Sequence, residues 1–316
     1  MNSSRLSGPL LRSVSRSFYL SIRLLPSRLR QPISLAYLLA RASDTIADSA
    51  EIASSERRKH LATFAFCVGS GGTAGLEAIQ AAIRSPHAGE NELISKLHDC
   101  LAMLASLDEV DRTLIRAVLS RIIHGQDLDL IRFGDGNRII ALQSSEELEE
   151  YTYLVAGCVG EFWTNVCLHH YRRFSRLEPE PLRKLAIDFG KALQFVNILR
   201  DMPADLRHNR CYLPAQGIDP AAIVTNPASA RAIFEHWRER AEDLLDSGRR
   251  YTASLRPPRL RAACYLPWEI GRRTLQLLAA QSPLETGERI KVPRNVIRAT
   301  LLRAGITAFS NRPLAA

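Results

Sequence analysis

Cysteine is scarce and unpatterned in this 316-residue chain: Cys67, Cys100, Cys158, Cys167, Cys211 and Cys264 form no CxxC pair. With no secretory apolar segment at the start either, free thiols in a reducing cytoplasm are expected, and neither a disulfide framework nor a zinc site is. No apolar run approaches the roughly 18 residues that span a bilayer, so no transmembrane helix is expected. Acidic side chains are missing from residues 1–43, which are rich in Arg and Ser and so mimic a transit peptide. That reading is set aside because the segment runs unbroken into the patterned stretch that carries Asp44. Lysine is rare: most of the positive charge behind the net +9 is arginine. Guanidinium forks suit phosphate and carboxylate, so an anionic partner is expected, whether nucleic acid, an acidic membrane surface or a phosphorylated small molecule.

Strand-like alternation is nearly missing, and no fixed-period repeat occurs. What is present is helical period. "ISLAYLLARASDTIAD", "VDRTLIRAVLSRIIHGQDLDLIRF", "PLRKLAIDFGKALQFVNILRDM" and "SARAIFEHWRERAEDLLDSGRRY" place apolar residues at three- and four-residue intervals. Breaks fall at Gly and Pro clusters such as "FGDGN", "LEPEP" and "RPPR", none long enough to link domains. One all-α domain over 1–316, with ten or more helices, is expected. The loop "GSGGTAG" lacks the Gly-Lys-Ser/Thr ending of a P-loop and follows no strand, so it reads as a connector.

The chemistry-bearing pattern is acidic. Asp44 and Asp48 are four apart, so on a helix their Cβ atoms stand roughly 5–6 Å from each other. Like charges at that spacing repel unless a cation lies between them, and Arg41 on the same face offers partial neutralisation. Alone, such a pair reads most often as a solvated face. A second copy changes that: Asp201 and Asp205 repeat the spacing, with Asn197 a turn earlier and Gln194 one position off the edge. Two largely buried helices that expose such ladders toward a common cavity suit hard divalent ions, and oxygen ligands without His or Cys select Mg²⁺. Arg41, Arg200 and Arg210 lie close in sequence to the ladders and fit the remaining oxygens of a metal-bridged diphosphate. Metal and arginine together favour departure of diphosphate, and hence carbocation formation.

At these residues the sequence resembles the squalene and phytoene synthase family of head-to-head prenyl transferases, most closely the bacterial-type squalene synthases. "SRSFYLSIRLLP" (15–26), "AYLLARASDTIAD" (36–48), "YTYLVAGCVGEFW" (151–163) and "QFVNILRDMPADLRHNRCYLP" (194–214) resemble four family motifs in the family's order. The resemblance implies the all-α isoprenoid synthase fold with a central cavity. It also implies Mg²⁺-assisted ionisation of one prenyl diphosphate, coupling to a second, and closure of a cyclopropane. By that resemblance Asp44, Asp48, Asn197, Asp201 and Asp205 hold metal. Ser17, Tyr37, Arg41, Gln194, Arg200 and Arg210 contact substrate, and Tyr151 assists proton transfer. A phenol is a weak base at neutral pH, so the departing diphosphate is the alternative proton acceptor. Pro203, inside the second ladder, is expected to kink or end its helix. Gly157 and Gly160 imply either close helix packing or room for a ligand chain, and Phe18, Phe162 and Trp163 either core or a prenyl tunnel.

"DTIAD" looks closer to squalene synthases, and "IKVPRNV" lies where those enzymes carry a basic segment linked to NADPH, so Lys291 and Arg294 are the expected contacts of its 2′-phosphate. The reading is therefore farnesyl diphosphate to squalene. Phytoene synthase, dehydrosqualene synthase and a terpene cyclase of the same fold are the alternatives within the fold. The family's eukaryotic C-terminal anchor is not found. A monomer in the cytoplasm is expected, with its basic surface suiting anionic lipid at the inner membrane face and no nucleic-acid partner. The reading from a different class is a basic helical scaffold or nucleic-acid-binding protein, with salt-sensitive binding and no magnesium requirement.

Overall fold

The computed structural model describes residues 6–15, 18–214, 217–287, 289–290, 292–293, 296–297 and 299–300. Nearly all regular structure among them is helical, as the 3.6-residue period predicts, and the sole strands are the two-residue pair β1 (Ile140–Ala141) and β2 (Arg210–Cys211). The described residues gather into two compact units. One comprises Met1–Asp135 with Phe162–Arg172, the other Gly136–Glu161 with Arg173–Ala316.

In the first unit the longer helices are α1 (Ser27–Ala47), α2 (Ser54–Ser70), α3 (Leu97–Ser106) and α4 (Glu109–Phe133). Leu29, Ile33, Leu35, Leu38, Leu39, Ala42 and Ile46 of α1 are all buried, a spread wider than one stripe, because α1 packs against both α3 and α4. Helix α4 starts at Asp108, whose side chain accepts from the Asp111 N–H at 2.9 Å, one of the donors a helix leaves unpaired at its start. "GSGGTAG" joins α2 to the short helix Leu76–Ala82, as a connector should.

The second unit holds α5 (Ser145–Thr152), which runs through a π-helical turn at Tyr153–Gly157 into α6 (Cys158–His170), then α7 (Pro179–Arg207), α8 (Arg231–Ser254) and α9 (Pro258–Ala280). Only the first turn of α6 belongs to this unit. Helix α7 packs on α8, on α9 and on the π-helical turn. Its Pro203 does not end it. The helix continues a further turn to Arg207 and closes there, with the His208 N–H on the carbonyls of Ala204 and Asp205 and Asn209 at a φ of 62°. One missing backbone donor so near the end costs little, since Met202, Pro203 and Leu206 are buried. The next residues form β2, which lies parallel to β1 with Arg210 opposite Ile140.

The glycines of the central motif are there for packing. A Cβ on Gly160 would lie 1.9 Å from the Ala186 carbonyl oxygen, and one on Gly190 would lie 2.3 Å from that of Ala156. Backbone meets backbone where α6 begins beside α7. All six cysteines are buried thiols outside any disulfide.

Candidate active site

Asp44 and Asp205 lie in the last turns of their helices, where the backbone dipole is negative and a carboxylate is least at home, and Asp201 stands a turn earlier. In the first unit Asp44 lies in the last turn of α1 and Asp48 is its C-cap, with no basic residue in that turn. Arg41 Nη1 is 3.7 Å from Asp44 Oδ2, but its shorter bond, 2.6 Å from Nη2, goes to Glu90 Oε1. Gln126 of α4 donates to Asp44 Oδ1 at 2.6 Å. Asp44 is pushed up to about 7 by loss of hydration and then by the Asp48 charge, against the lowering effects of Arg41 and Gln126. Burial also acts on Glu90, yet Ser85 and Arg41 hold it below the ordinary carboxylate range. The first ladder therefore sets two carboxyl groups close together at a helix end, and its oxygen donors fit a hard divalent cation.

The raised Asp44 carboxyl has a consequence for stability. Between its ordinary value of 3.8 and about 7 the metal-free native protein holds a proton that the unfolded chain has lost. Stability from this group is thus complete below that window and lost as pH rises through it. With the side chain 43% exposed, solvent screening reduces the loss to about 1 kcal/mol. Metal-free Asp44→Asn is expected to melt about 1–2 °C above wild type at pH 8 and level with it below pH 4, checked by calorimetry in chelator. Equal melting temperatures at pH 8 would overturn the assignment.

In the second unit Gln194, Asn197, Asp201 and Asp205 form the half-buried edge of α7, while Phe195, Val196, Ile198, Leu199 and Met202 are buried. Asn197 Nδ2 approaches Gln194 Oε1 at 3.4 Å. Asp201 is gripped: Arg200 forks it through Nε at 2.8 Å and Nη2 at 2.6 Å, and Arg289 Nε reaches it at 2.6 Å. Here guanidinium groups supply the positive charge that the ladder geometry requires. Arg210 sits in β2, one turn past the end of α7. Tyr151 is buried in α5 and stacks on Tyr212, with centroids 4.9 Å apart.

Tyr37 stacks on Phe18 at 5.1 Å and donates its hydroxyl to the Val14 carbonyl at 3.1 Å, and Trp163 approaches Phe18 at 6.5 Å. Phe162 is core. Ser17, Lys291 and Arg294 lie outside the described residues. Sequence reasoning did not find Gln126 or Arg289, which bond Asp44 and Asp201 across long stretches of sequence, or Glu90, which holds Arg41 from 49 positions away. No periodicity marks such partners. Among the described residues, a further group able to hold a metal ion is formed by Asp108, Asp111, His169 and His170.

The family profile described as squalene/phytoene synthase matches residues 11–296. Presqualene diphosphate synthase of Zymomonas mobilis is 26% identical over 306 residues, covering 93% of this chain and 90% of its own length. The bifunctional lycopene cyclase/phytoene synthase of Colletotrichum graminicola is 29% identical over 231 residues. This chain spans 36% of that protein's length, and 68% of this chain is covered. Among solved structures, squalene synthase HpnC from Alicyclobacillus acidocaldarius aligns at a TM-score of 0.62 with 21% identity, covering 91% of this chain and 95% of its own. The complex of TcSQS with the ligand BPH1237 reaches 0.78 at 20% identity, covering 96% and 86%. At that identity the structures establish the all-α fold.

Proposed function

This chain belongs to the squalene/phytoene synthase family, and on that premise we propose that it joins two farnesyl diphosphates head to head through a cyclopropyl diphosphate. The observation that carries this choice is the relative of matching length, a presqualene diphosphate synthase aligned over 93% of this chain. We take residues 1–316 as one catalytic domain, monomeric and cytoplasmic. Its net charge of +9 suits anionic lipid, and among the described residues no helix is long and apolar enough to cross a membrane.

Asp44 and Asp48, with Asn197, Asp201 and Asp205, are the residues proposed to hold Mg²⁺. When bound, the ion supplies Lewis-acid stabilisation of the departing diphosphate. The protein's own part is charge and position. Arg41, Arg200, Arg210 and Arg289 offer guanidinium forks to phosphate oxygens. Tyr37 holds its place through Val14, and Gln194 supports Asn197 on the ladder edge. Tyr151, fixed by its stack on Tyr212, orients the proton that is lost as the cyclopropane closes. Tyr151→Phe keeps the ring and removes one hydroxyl. It is expected to lower kcat about 10²-fold or more, with KM little changed, since acid–base assistance contributes ~10²–10⁴-fold; an unchanged kcat would return Tyr151 to the core.

The extension to squalene, with NADPH as hydride donor and Lys291 and Arg294 on its 2′-phosphate, is decided by a product assay. Purified protein with farnesyl diphosphate and Mg²⁺ should give the cyclopropyl diphosphate without NADPH and squalene with it. If NADPH leaves the products unchanged, the reductive step falls and the coupling stands. Strong preference for geranylgeranyl diphosphate with phytoene as product would overturn the farnesyl assignment itself.

A further inference from the structure

We propose that Asp108, Asp111, His169 and His170 form a binding site for one divalent transition-metal ion of the zinc class, tying the end of α6 to the start of α4. These residues belong to neither Asp ladder, and the proposal does not depend on the reaction proposed above. One ligand atom from each of the four lies within 4.8 Å of all the others. For metal–ligand bonds of ~2.0–2.1 Å, a tetrahedral shell has edges of roughly 3.3 Å. Two edges are already close to that length: His169 Nε2 is 3.3 Å from Asp108 Oδ1, and His170 Nε2 is 2.9 Å from Asp111 Oδ2. Small side-chain shifts close the rest.

A second, independent observation points to a cation. Asp111 is 2% exposed, and its Oδ1 is buried with no hydrogen-bond partner in the protein. The contact with His170 satisfies only Oδ2. Simple Asp–His pairing therefore leaves a carboxylate oxygen desolvated and unpaired, an arrangement that native interiors avoid. The directions of the two imidazoles agree. Successive side chains on a helix diverge by roughly 100°, yet the His169 and His170 rings lie 4.6 Å apart at 63°, with both Nε2 atoms turned to the same pair of carboxylates. Asp108 is held in place by the Asp111 N–H, the kind of outer hydrogen bond that orients a ligating carboxylate. The Asp108 and His169 side chains, 49% and 34% exposed, leave a way in for the ion.

Two imidazoles with two carboxylates suit Zn²⁺ or Co²⁺, whereas the all-oxygen ladders suit Mg²⁺. The absence of a cysteine pair is no obstacle to a site built this way. The full chain, stripped with chelator and returned to excess Mg²⁺, is titrated with Zn²⁺ and Co²⁺. One Zn²⁺ per chain should survive gel filtration and raise the melting temperature, and Co²⁺ should show the visible absorption of a four-coordinate site. Asp108→Asn, which keeps the helix cap, and His169→Ala should each weaken zinc binding by more than about 100-fold, the upper range for losing even an outer-shell partner. Both variants should leave Mg²⁺-supported turnover intact. The double variant Asp44→Asn/Asp201→Asn should retain the zinc. No zinc retained by wild type, equal retention by folded Asp108→Asn and His169→Ala, or zinc lost with the ladder variant instead would each overturn the site.

Discussion

Asp44→Asn and Asp201→Asn are each expected to lower the rate of prenyl coupling by about 10²–10³-fold with the helical fold intact. A metal ion acting as Lewis acid supplies several kcal/mol of stabilisation, and every 1.36 kcal/mol is about tenfold in rate. The two changes should differ in their side effects. At Asp44 the substitution removes a carboxyl that burial and the Asp48 charge hold above its ordinary range, so the metal-free protein gains stability as it loses activity, the exchange expected where a site is built against the fold's preference. At Asp201 it releases Arg200 and Arg289 from their carboxylate, so no such gain is expected. Single-turnover rates with farnesyl diphosphate over a Mg²⁺ series, with circular dichroism for the fold, decide the matter. Wild-type rates in either folded variant would remove that ladder from the reaction.

Gly160→Ala is expected to cost the fold about 3 kcal/mol. The new methyl would meet the Ala186 carbonyl at 1.9 Å, and a backbone oxygen inside a packed helix has no rotamer through which to retreat. Overpacking costs typically ~1–3 kcal/mol, and this contact is at the severe end. Alanine's better helix propensity, ~1 kcal/mol, does not offset it. At roughly 1.5 °C per kcal/mol for a chain of this length, the melting temperature should fall by about 4–5 °C. Gly136→Ala, whose added methyl meets nothing within 4 Å, is the control and should barely move it. A Gly160→Ala melting temperature within about 1 °C of wild type would mean that α6 and α7 do not meet as closely as described.

The helices and both ladders were legible because their signals are local. A 3.6-residue apolar period and a carboxylate four positions from another survive in a bare sequence. Pro203 misled because its local rule, helix interruption, yields when one lost donor falls near a buried helix end. Gly157 and Gly160 announced a close-packing constraint, but what stood opposite them, Lys191 and Ala186, lies on another helix. Glu90, Gln126 and Arg289 were invisible for the same reason, and so was the pairing of His170 with Asp111. Each depends on which segments the tertiary fold brings together, and no neighbour in sequence reports that.

The buried thiols carry a consequence of their own. Burial pushes Cys100 up to about 12 and Cys211 up to about 11, and the thiolate is the form that reacts. Electrophiles and oxidants arriving from solvent thus find neither access nor nucleophile while the chain is closed. Reaction has to wait for an opening, and the rate of labelling becomes a record of how often openings happen. Cys67, Cys100 and Cys167 lie in the first unit and Cys158, Cys211 and Cys264 in the second. The chain carries three internal reporters of breathing on each side, needing no engineered probe.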